Sequence, residues 1–206
     1  GSDNRDLARV HLEKAAKYRS RSAQLFNAYA LLYQSEQEFK LAEEQFEKAL
    51  VRDKNYTLAR YNFAAFLYNQ GRLAEARVQI KRVSEDLGYE RRAQAFYILG
   101  LSQKRMGDSL QALESFEKAT QLSSGFPAPF LEAAELYFQQ KNYPLSKLAL
   151  DRFGQLTGPT AQSLWLSVRV EERFGNRDKA ASEGLKLKNL FPYSKENLAY
   201  QAWLKQ

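Results

Sequence analysis

Leu41-Ala-Glu-Glu-Gln-Phe-Glu-Lys-Ala-Leu50 has two further copies in the chain, Leu7-Ala-Arg-Val-His-Leu-Glu-Lys-Ala-Ala16 and Gln111-Ala-Leu-Glu-Ser-Phe-Glu-Lys-Ala-Thr120. Each copy places a small Ala, then a large apolar residue four positions on, then another Ala three later: Ala8/Leu12/Ala15, Ala42/Phe46/Ala49 and Ala112/Phe116/Ala119. Steps of four and three keep such a triplet on one stripe of an α-helix. The small residues admit a neighbouring helix closely, and the large one fills the space between. The stretch starting at Leu7 precedes that at Leu41 by one 34-residue period, and the copy at Gln111 follows after two periods and two extra residues.

A 34-residue period carrying Ala-x3-Phe-x2-Ala is the pattern of tetratricopeptide repeats. The expected fold is therefore all-α, a tetratricopeptide-repeat superhelix, that is, a right-handed solenoid of antiparallel helix pairs. Working outward, the chain reads as one domain: a half-repeat over 3–22, repeats over 23–56, 57–90, 93–126, 127–160 and 161–194, and a capping helix over 195–206. In the half-repeat, Asp3, Asn4 or Asp6 caps a helix whose stripe is Leu7, Val10, Leu12 and Ala15. Its missing partner, with Gly1-Ser2 reading as a cloning scar, leads us to expect native chain upstream.

Gly71 is placed to end a helix with positive φ, and Pro127 and Pro129 suit a helix start. Asp86-Leu-Gly-Tyr89 accounts for the two extra residues. The fifth repeat departs most from the pattern, at Ser167, Val168 and Gly184. In the last helix, capped by Ser194, Ala199, Ala202 and Trp203 are expected to cover the end of the array.

Composition narrows the function. Of 206 residues, 44% are apolar and 27% charged, which places the chain among folded soluble classes. No apolar run approaches the roughly 18 residues of a membrane helix. With no cysteine, disulfides and thiolate metal sites are excluded. The net charge of +7 would suit nucleic acid or an anionic surface. Yet the basic residues are scattered among acids without an aromatic-interleaved patch, so no nucleic-acid partner is expected.

The chain offers no catalytic constellation. His11 is the only histidine and has no second ligand near it in sequence, so it reads as a surface residue. Glu43-Glu44 and Glu171-Glu172 point apart on their helices and read as solvated faces. Ser123-Ser124-Gly125 and Gly154 to Gly158 read as turns, without the strand-before, helix-after setting of a phosphate loop. No catalytic, metal-binding or cofactor-binding residue is nominated, and the chain reads as non-enzymatic.

Surface remains. In tetratricopeptide arrays, set positions on the first helix of each pair line the concave face. Carried onto this chain, that pattern implies a groove of Asn27, Leu31, Tyr61, Tyr68, Tyr97, Leu101, Leu131, Phe138, Trp165 and Arg169. An aromatic groove of this kind suits an amphipathic helix or extended peptide. The Lys and Asn of the family's carboxylate clamp are not matched, since Asn27 and Leu31 stand in their places.

Three stretches outside the repeat pattern are more specific. They are Asn62-Phe-Ala-Ala-Phe-Leu-Tyr-Asn-Gln-Gly-Arg-Leu73, Leu87-Gly-Tyr-Glu-Arg-Arg-Ala93, and Arg177-Asp-Lys-Ala-Ala-Ser-Glu-Gly-Leu-Lys-Leu-Lys-Asn-Leu-Phe-Pro-Tyr-Ser194. With them the chain resembles the PilF/PilW family of type IV pilus biogenesis proteins. The resemblance implies a pilotin: an outer-membrane lipoprotein facing the periplasm that binds the pilus secretin and promotes its localisation and assembly. It also implies attachment through a lipidated N-terminal Cys after a signal peptide, a residue not found in these 206. The other reading kept open is a generic repeat adaptor or envelope-assembly lipoprotein with another protein partner.

Overall fold

The computed structural model describes residues 7, 9–14 and 22–205; the expectations for Asp3, Asn4, Asp6, Ala8 and Ala15 lie outside them. Residues 9–14 are helical, with Leu7 and Val10 exposed. From Ala23 the described residues run through α1 (Ala23–Ser35), α2 (Phe39–Arg52), α3 (Thr57–Asn69), α4 (Leu73–Glu85), α5 (Arg92–Arg105) and α6 (Ser109–Leu122). There follow α7 (Pro127–Gln139), α8 (Tyr143–Leu156), α9 (Ala161–Arg173), α10 (Arg177–Leu190) and α11 (Lys195–Trp203). The fold is all-α and of tetratricopeptide type.

Short turns join the helices of each pair, which makes them antiparallel neighbours. Every such turn holds one residue at positive φ: Gln37 (65°), Gly71 (77°), Gly107 (88°), Lys141 (61°) and Gly175 (73°). The next residue's N–H then bonds the carbonyl five positions back, as from Arg72 to Leu67 and from Asn142 to Tyr137, both at 2.9 Å. That bond satisfies a carbonyl the helix end would leave open. Glycine takes this conformation without a Cβ penalty, whereas Gln37 and Lys141 adopt it against one.

The chain forms two compact units, one ending at Ala112 and one starting at Leu113. In the first, Ala30, Ala42, Phe46, Phe63, Phe66, Leu67 and Ala76 make one core cluster drawn from α1 to α4. Phe46 is fully buried, with its ring 5.5 Å from Phe63 and 5.6 Å from Phe66. A second cluster, of Ala64, Ile80, Val83, Ala95 and Leu99, joins α3, α4 and α5. Small and large residues thus alternate across each helix contact, as close packing requires.

In the second unit, Leu131, Ala134, Ala149, Phe153, Leu166 and Val170 join α7, α8 and α9. Leu164, Val168, Ala180, Leu187 and Tyr200 then join α9, α10 and α11. Val168 is therefore core, although it departs from the repeat pattern. Gly184 has a specific reason: a Cβ there would lie 2.1 Å from the Tyr200 hydroxyl oxygen. Only a residue without a side chain lets Tyr200 seat on α10.

Three expectations need correction. The helix α8 continues through Gly154 to Leu156, so the turn begins later than the glycine suggested. The packed face of α11 is Asn197 and Tyr200, while Ala199 and Ala202 are exposed. Glu171 is not on a solvated face: it is only 2% exposed. Its carboxylate receives Lys179 at 2.7 Å, Lys147 at 2.9 Å and the Asn176 amide at 2.7 Å. Burial pushes the Glu171 pKa up, but these three donors outweigh it and hold the group down at about 2.

Candidate functional site: an aromatic cleft built around Arg169

Within the second unit, a cleft of about 380 Å³ is lined by Phe138, Trp165, Arg169, Glu172, Arg173 and Trp203. Helix α7 supplies Phe138 near its end, α9 supplies the next four residues at helical spacing, and α11 supplies Trp203. Steps of four bring Trp165, Arg169 and Arg173 onto one stripe of α9. The other wall depends on the C-terminus. Ser194 caps α11 by accepting the N–H of Asn197 at 3.1 Å. Asn197 also donates to the Pro192 carbonyl at 2.8 Å, and Tyr200 fills the space left by Gly184. Trp165 then lies 6.0 Å from Tyr200 and 6.3 Å from Trp203.

Arg169 is the centre of this cleft. Its guanidinium lies 4.8 Å from the Phe138 ring centroid and 5.3 Å from that of Trp165, close enough for cation–π attraction to both. Its Nη2 donates to Glu135 at 3.0 Å. Its Nε is buried without a hydrogen-bond partner. That atom is shielded from solvent, so the donors left for a ligand are the other N–H groups of the guanidinium. A second cation, Arg173, lies 5.7 Å over Tyr143, whose ring is itself 5.4 Å from Phe138. The cleft therefore offers flat apolar walls, guanidinium donors, and Glu172 at its edge. Such a surface takes an apolar side chain together with a hydrogen-bond acceptor.

Of the ten residues expected in the groove, Phe138, Trp165 and Arg169 come together here. The others have separate surroundings. Asn27 and Leu131 are buried, which corrects their assignment to a ligand-facing surface. Leu131 packs in the core between α7 and α9, and Asn27 accepts a 3.0 Å hydrogen bond from Asn62, so both serve helix contacts. Leu31 is exposed, and Tyr97 and Leu101 are half-buried.

Tyr61 is covered from within the chain. The long connection after α4 brings Tyr89 against it, ring centroids 5.9 Å apart. Burial raises the pKa of Tyr61, and burial followed by the neighbouring Tyr61 pushes Tyr89 up to about 12. Tyr68 is occupied by Arg105, whose guanidinium lies 4.9 Å from its ring and donates to its carbonyl at 3.2 Å.

Sequence reasoning missed Glu172, Arg173 and Trp203 as lining residues. The signal was present in part, since Tyr200 and Trp203 are three apart and face one way once Ser194 starts the helix. Among the described residues, no group of three His, Cys, Asp or Glu could hold a metal ion. Nor is any helix among them long and apolar enough to cross a membrane. His11 is exposed.

The profile of the tetratricopeptide repeat matches residues 23–56 and 93–126. The type IV pilus assembly protein PilF of Pseudomonas aeruginosa is 38% identical over 199 residues, covering 97% of this chain and 79% of that protein. The chain belongs to the PilF family. A solved structure of Pseudomonas aeruginosa PilF superposes with a TM-score of 0.92, covering 98% of this chain and 90% of that one. The crystal structure of PilW, described as a widely conserved type IV pilus biogenesis factor, gives a TM-score of 0.81 at 20% identity, over 97% of this chain and 92% of that one. At that identity PilW speaks for the fold alone.

Proposed function

We propose that this chain is a non-enzymatic interaction scaffold that acts as a pilotin in type IV pilus biogenesis, binding the outer-membrane secretin and promoting its localisation and assembly. The observation that carries the reading is the 38% identity to PilF along 97% of the chain. The scaffold works at the periplasmic face of the outer membrane, held there by an N-terminal lipid as the family resemblance implies. One acyl chain binds a bilayer only reversibly, so stable attachment draws on further chains or on the membrane-embedded partner.

The Arg169 cleft is where a segment of the secretin docks. An apolar side chain of that segment lies against Trp165 and Trp203, and a carbonyl or carboxylate meets the guanidinium groups of Arg169 and Arg173. Rigid aromatic and arginine anchors of this kind dominate interface energetics. Of the groove residues outside the cleft, Leu31, Tyr97 and Leu101 have side chains that reach solvent.

The test is capture of full-length secretin from envelope extract by the wild-type chain and by Trp165→Ala and Arg169→Gln variants. Wild-type capture that either variant weakens by roughly tenfold or more, the usual scale for a hot spot, supports both partner and site. Capture unchanged in both variants removes the cleft from the account while leaving the partner. No capture by a folded wild-type chain removes the secretin.

A further inference from the structure

A recess opens in the first unit where α3 begins and α4 ends. Its volume is about 590 Å³, and Lys54, Asn55, Thr57, Arg60, Arg82 and Asp86 line it. The first repeat has a recess at the corresponding place, lined by Phe26, Glu44, Glu47, Lys48, Val51 and Arg52. Counting by the repeat period, Arg82 corresponds to Lys48, Lys118, Arg152 and Lys186, so a cation at this position is a constant of the chain. Arg60 corresponds instead to Phe26, Phe96, Phe130 and Leu164. One repeat puts a guanidinium where the other four put an apolar packing residue. The acids Glu44 and Glu47 of the first recess have Val78 and Lys81 as counterparts in the second.

The position of Arg60 is defined. Its Nη1 donates to the Gln79 side-chain oxygen at 2.7 Å, and its Nη2 to the Lys54 carbonyl at 2.6 Å. Both acceptors are neutral. Among the described residues, no carboxylate forms an ion pair with Lys54, Arg60 or Arg82. Asp86 lines the recess but is engaged, accepting from the Thr57 hydroxyl and from the Gly88 N–H at 3.0 Å. Burial, and then the charge of Arg82, lower the pKa of Arg60. The two guanidiniums repel one another. Tyr56, before α3, offers no side-chain cap to the first N–H groups of that helix. A local break in an otherwise regular pattern, left without internal compensation, is the mark of a site rather than of packing.

We propose that the recess bounded by Lys54, Arg60 and Arg82 binds a phosphoryl group. Three cations, from the connection between α2 and α3, from α3 and from α4, match a tetrahedral oxyanion with several acceptor oxygens better than a single planar carboxylate. The Thr57 end of α3 adds backbone donors and the positive end of the helix dipole. An open recess of about 590 Å³ leaves room for a larger body carrying that group. That body is a phospholipid headgroup or a soluble phosphate ester. The site is independent of the secretin reading, since none of its residues belongs to the Arg169 cleft.

The experiment is an amide NMR titration of the whole chain with inorganic phosphate at constant ionic strength. Saturable shifts are expected in the 54–60 and 82–88 backbone, with none of like size around Phe26 and Lys48. Arg60→Phe restores the residue type of the other repeats and so keeps the fold; it is expected to weaken binding by at least about tenfold, the scale of a lost charge-assisted contact. Arg82→Gln, at an exposed position, serves as a second variant and is expected to weaken binding in the same direction. Absence of saturable shifts in the wild type overturns the proposal. So do shifts kept in both variants, or shifts spread evenly over every basic surface. Flotation with vesicles containing phosphatidic acid, against phosphatidylcholine alone, then separates the sources: Arg60-dependent flotation assigns a lipid headgroup, and its absence assigns a soluble ester.

Discussion

Both units carry aromatic residues at the positions expected to face a ligand, Tyr61, Tyr68 and Tyr97 in the first and Phe138 and Trp165 in the second, yet the two treat those side chains differently. In the unit ending at Ala112, Tyr61 is covered by Tyr89 from the long connection, and Tyr68 is met by Arg105, which also finds the Tyr68 carbonyl. In the unit starting at Leu113, Phe138, Trp165 and Trp203 wall a cleft around Arg169, whose Nε has no partner. The lesson is that an aromatic residue at a ligand-facing position is available only if nothing else in the chain reaches it first. For Tyr61 the cover comes from the connection after α4, two residues longer than its counterparts, which brings Tyr89 against α3.

This contrast can be broken or sharpened by mutation. The largest effect is expected in the core of the first unit: Phe46→Ala should cost about 3–5 kcal/mol through the cavity it leaves, read as a lowered urea midpoint. Because the cleft is built elsewhere, folded Phe46→Ala protein should retain whatever binding the Arg169 cleft supports. Preserved stability would show that the packing around Phe46 relaxes to fill the hole.

Gly184→Ala is the next largest. The added Cβ would lie against the Tyr200 hydroxyl, so Tyr200 must shift, and overpacking of this sort costs about 1–3 kcal/mol. Displacing α11 should also change the emission of Trp165 and Trp203 before global unfolding. An unchanged spectrum and stability would mean that the cleft does not depend on this seat.

Acid should act on the second unit through Glu171. Its folded pKa of about 2 lies below the ordinary carboxylate value of 4.5. Its contribution is therefore present above about pH 5 and lost as pH falls toward 2, with a size of about 1–3 kcal/mol. Urea unfolding followed against pH should show this limb in the wild type and a flatter one in Glu171→Gln. Identical profiles would assign acid sensitivity to other carboxylates.

The smallest effect concerns the cover on Tyr61. Tyr89→Ala should cost about 0.5–1.5 kcal/mol for the lost ring pair and expose Tyr61 to solvent. The Tyr61 hydroxyl should then titrate nearer the usual tyrosine range, since burial is what raises it. A Tyr61 pKa that does not fall would show that Tyr89 is not the source of its burial.

Much of the fold was legible in the chain because it is written locally. The Ala42/Phe46/Ala49 triplet and its copies at Ala112/Phe116/Ala119 state helical period, small and large sides, and the interval at which they recur. Gly71 states its turn, and Ser194 its helix start. Other points were not legible. Gln37 and Lys141 take the same left-handed turn as Gly71 without any local sign of it, because the helices on either side impose the conformation. Glu171 read as a surface acid next to Glu172. It is buried because Lys147 on α8 and Lys179 on α10 converge on it, and neither is near it in sequence.

The candidate cleft divides in the same way. Trp165 and Arg169 share a helical stripe that any reader of α9 can see. That Arg169 lies between Phe138 and Trp165, that Trp203 closes the wall, and that Gly184 makes room for it all depend on which helices meet.

The sequence by itself determined a repeat of helix pairs, their turns, and the family to which the chain belongs, because periodicity and turn chemistry act between residues a few positions apart. Only the tertiary structure decided which aromatic side chains are covered, which carboxylate is buried, and which cations of the Arg60 recess form no ion pair. Those outcomes depend on neighbours brought in from other helices, and helix-to-helix packing is not encoded at any single position.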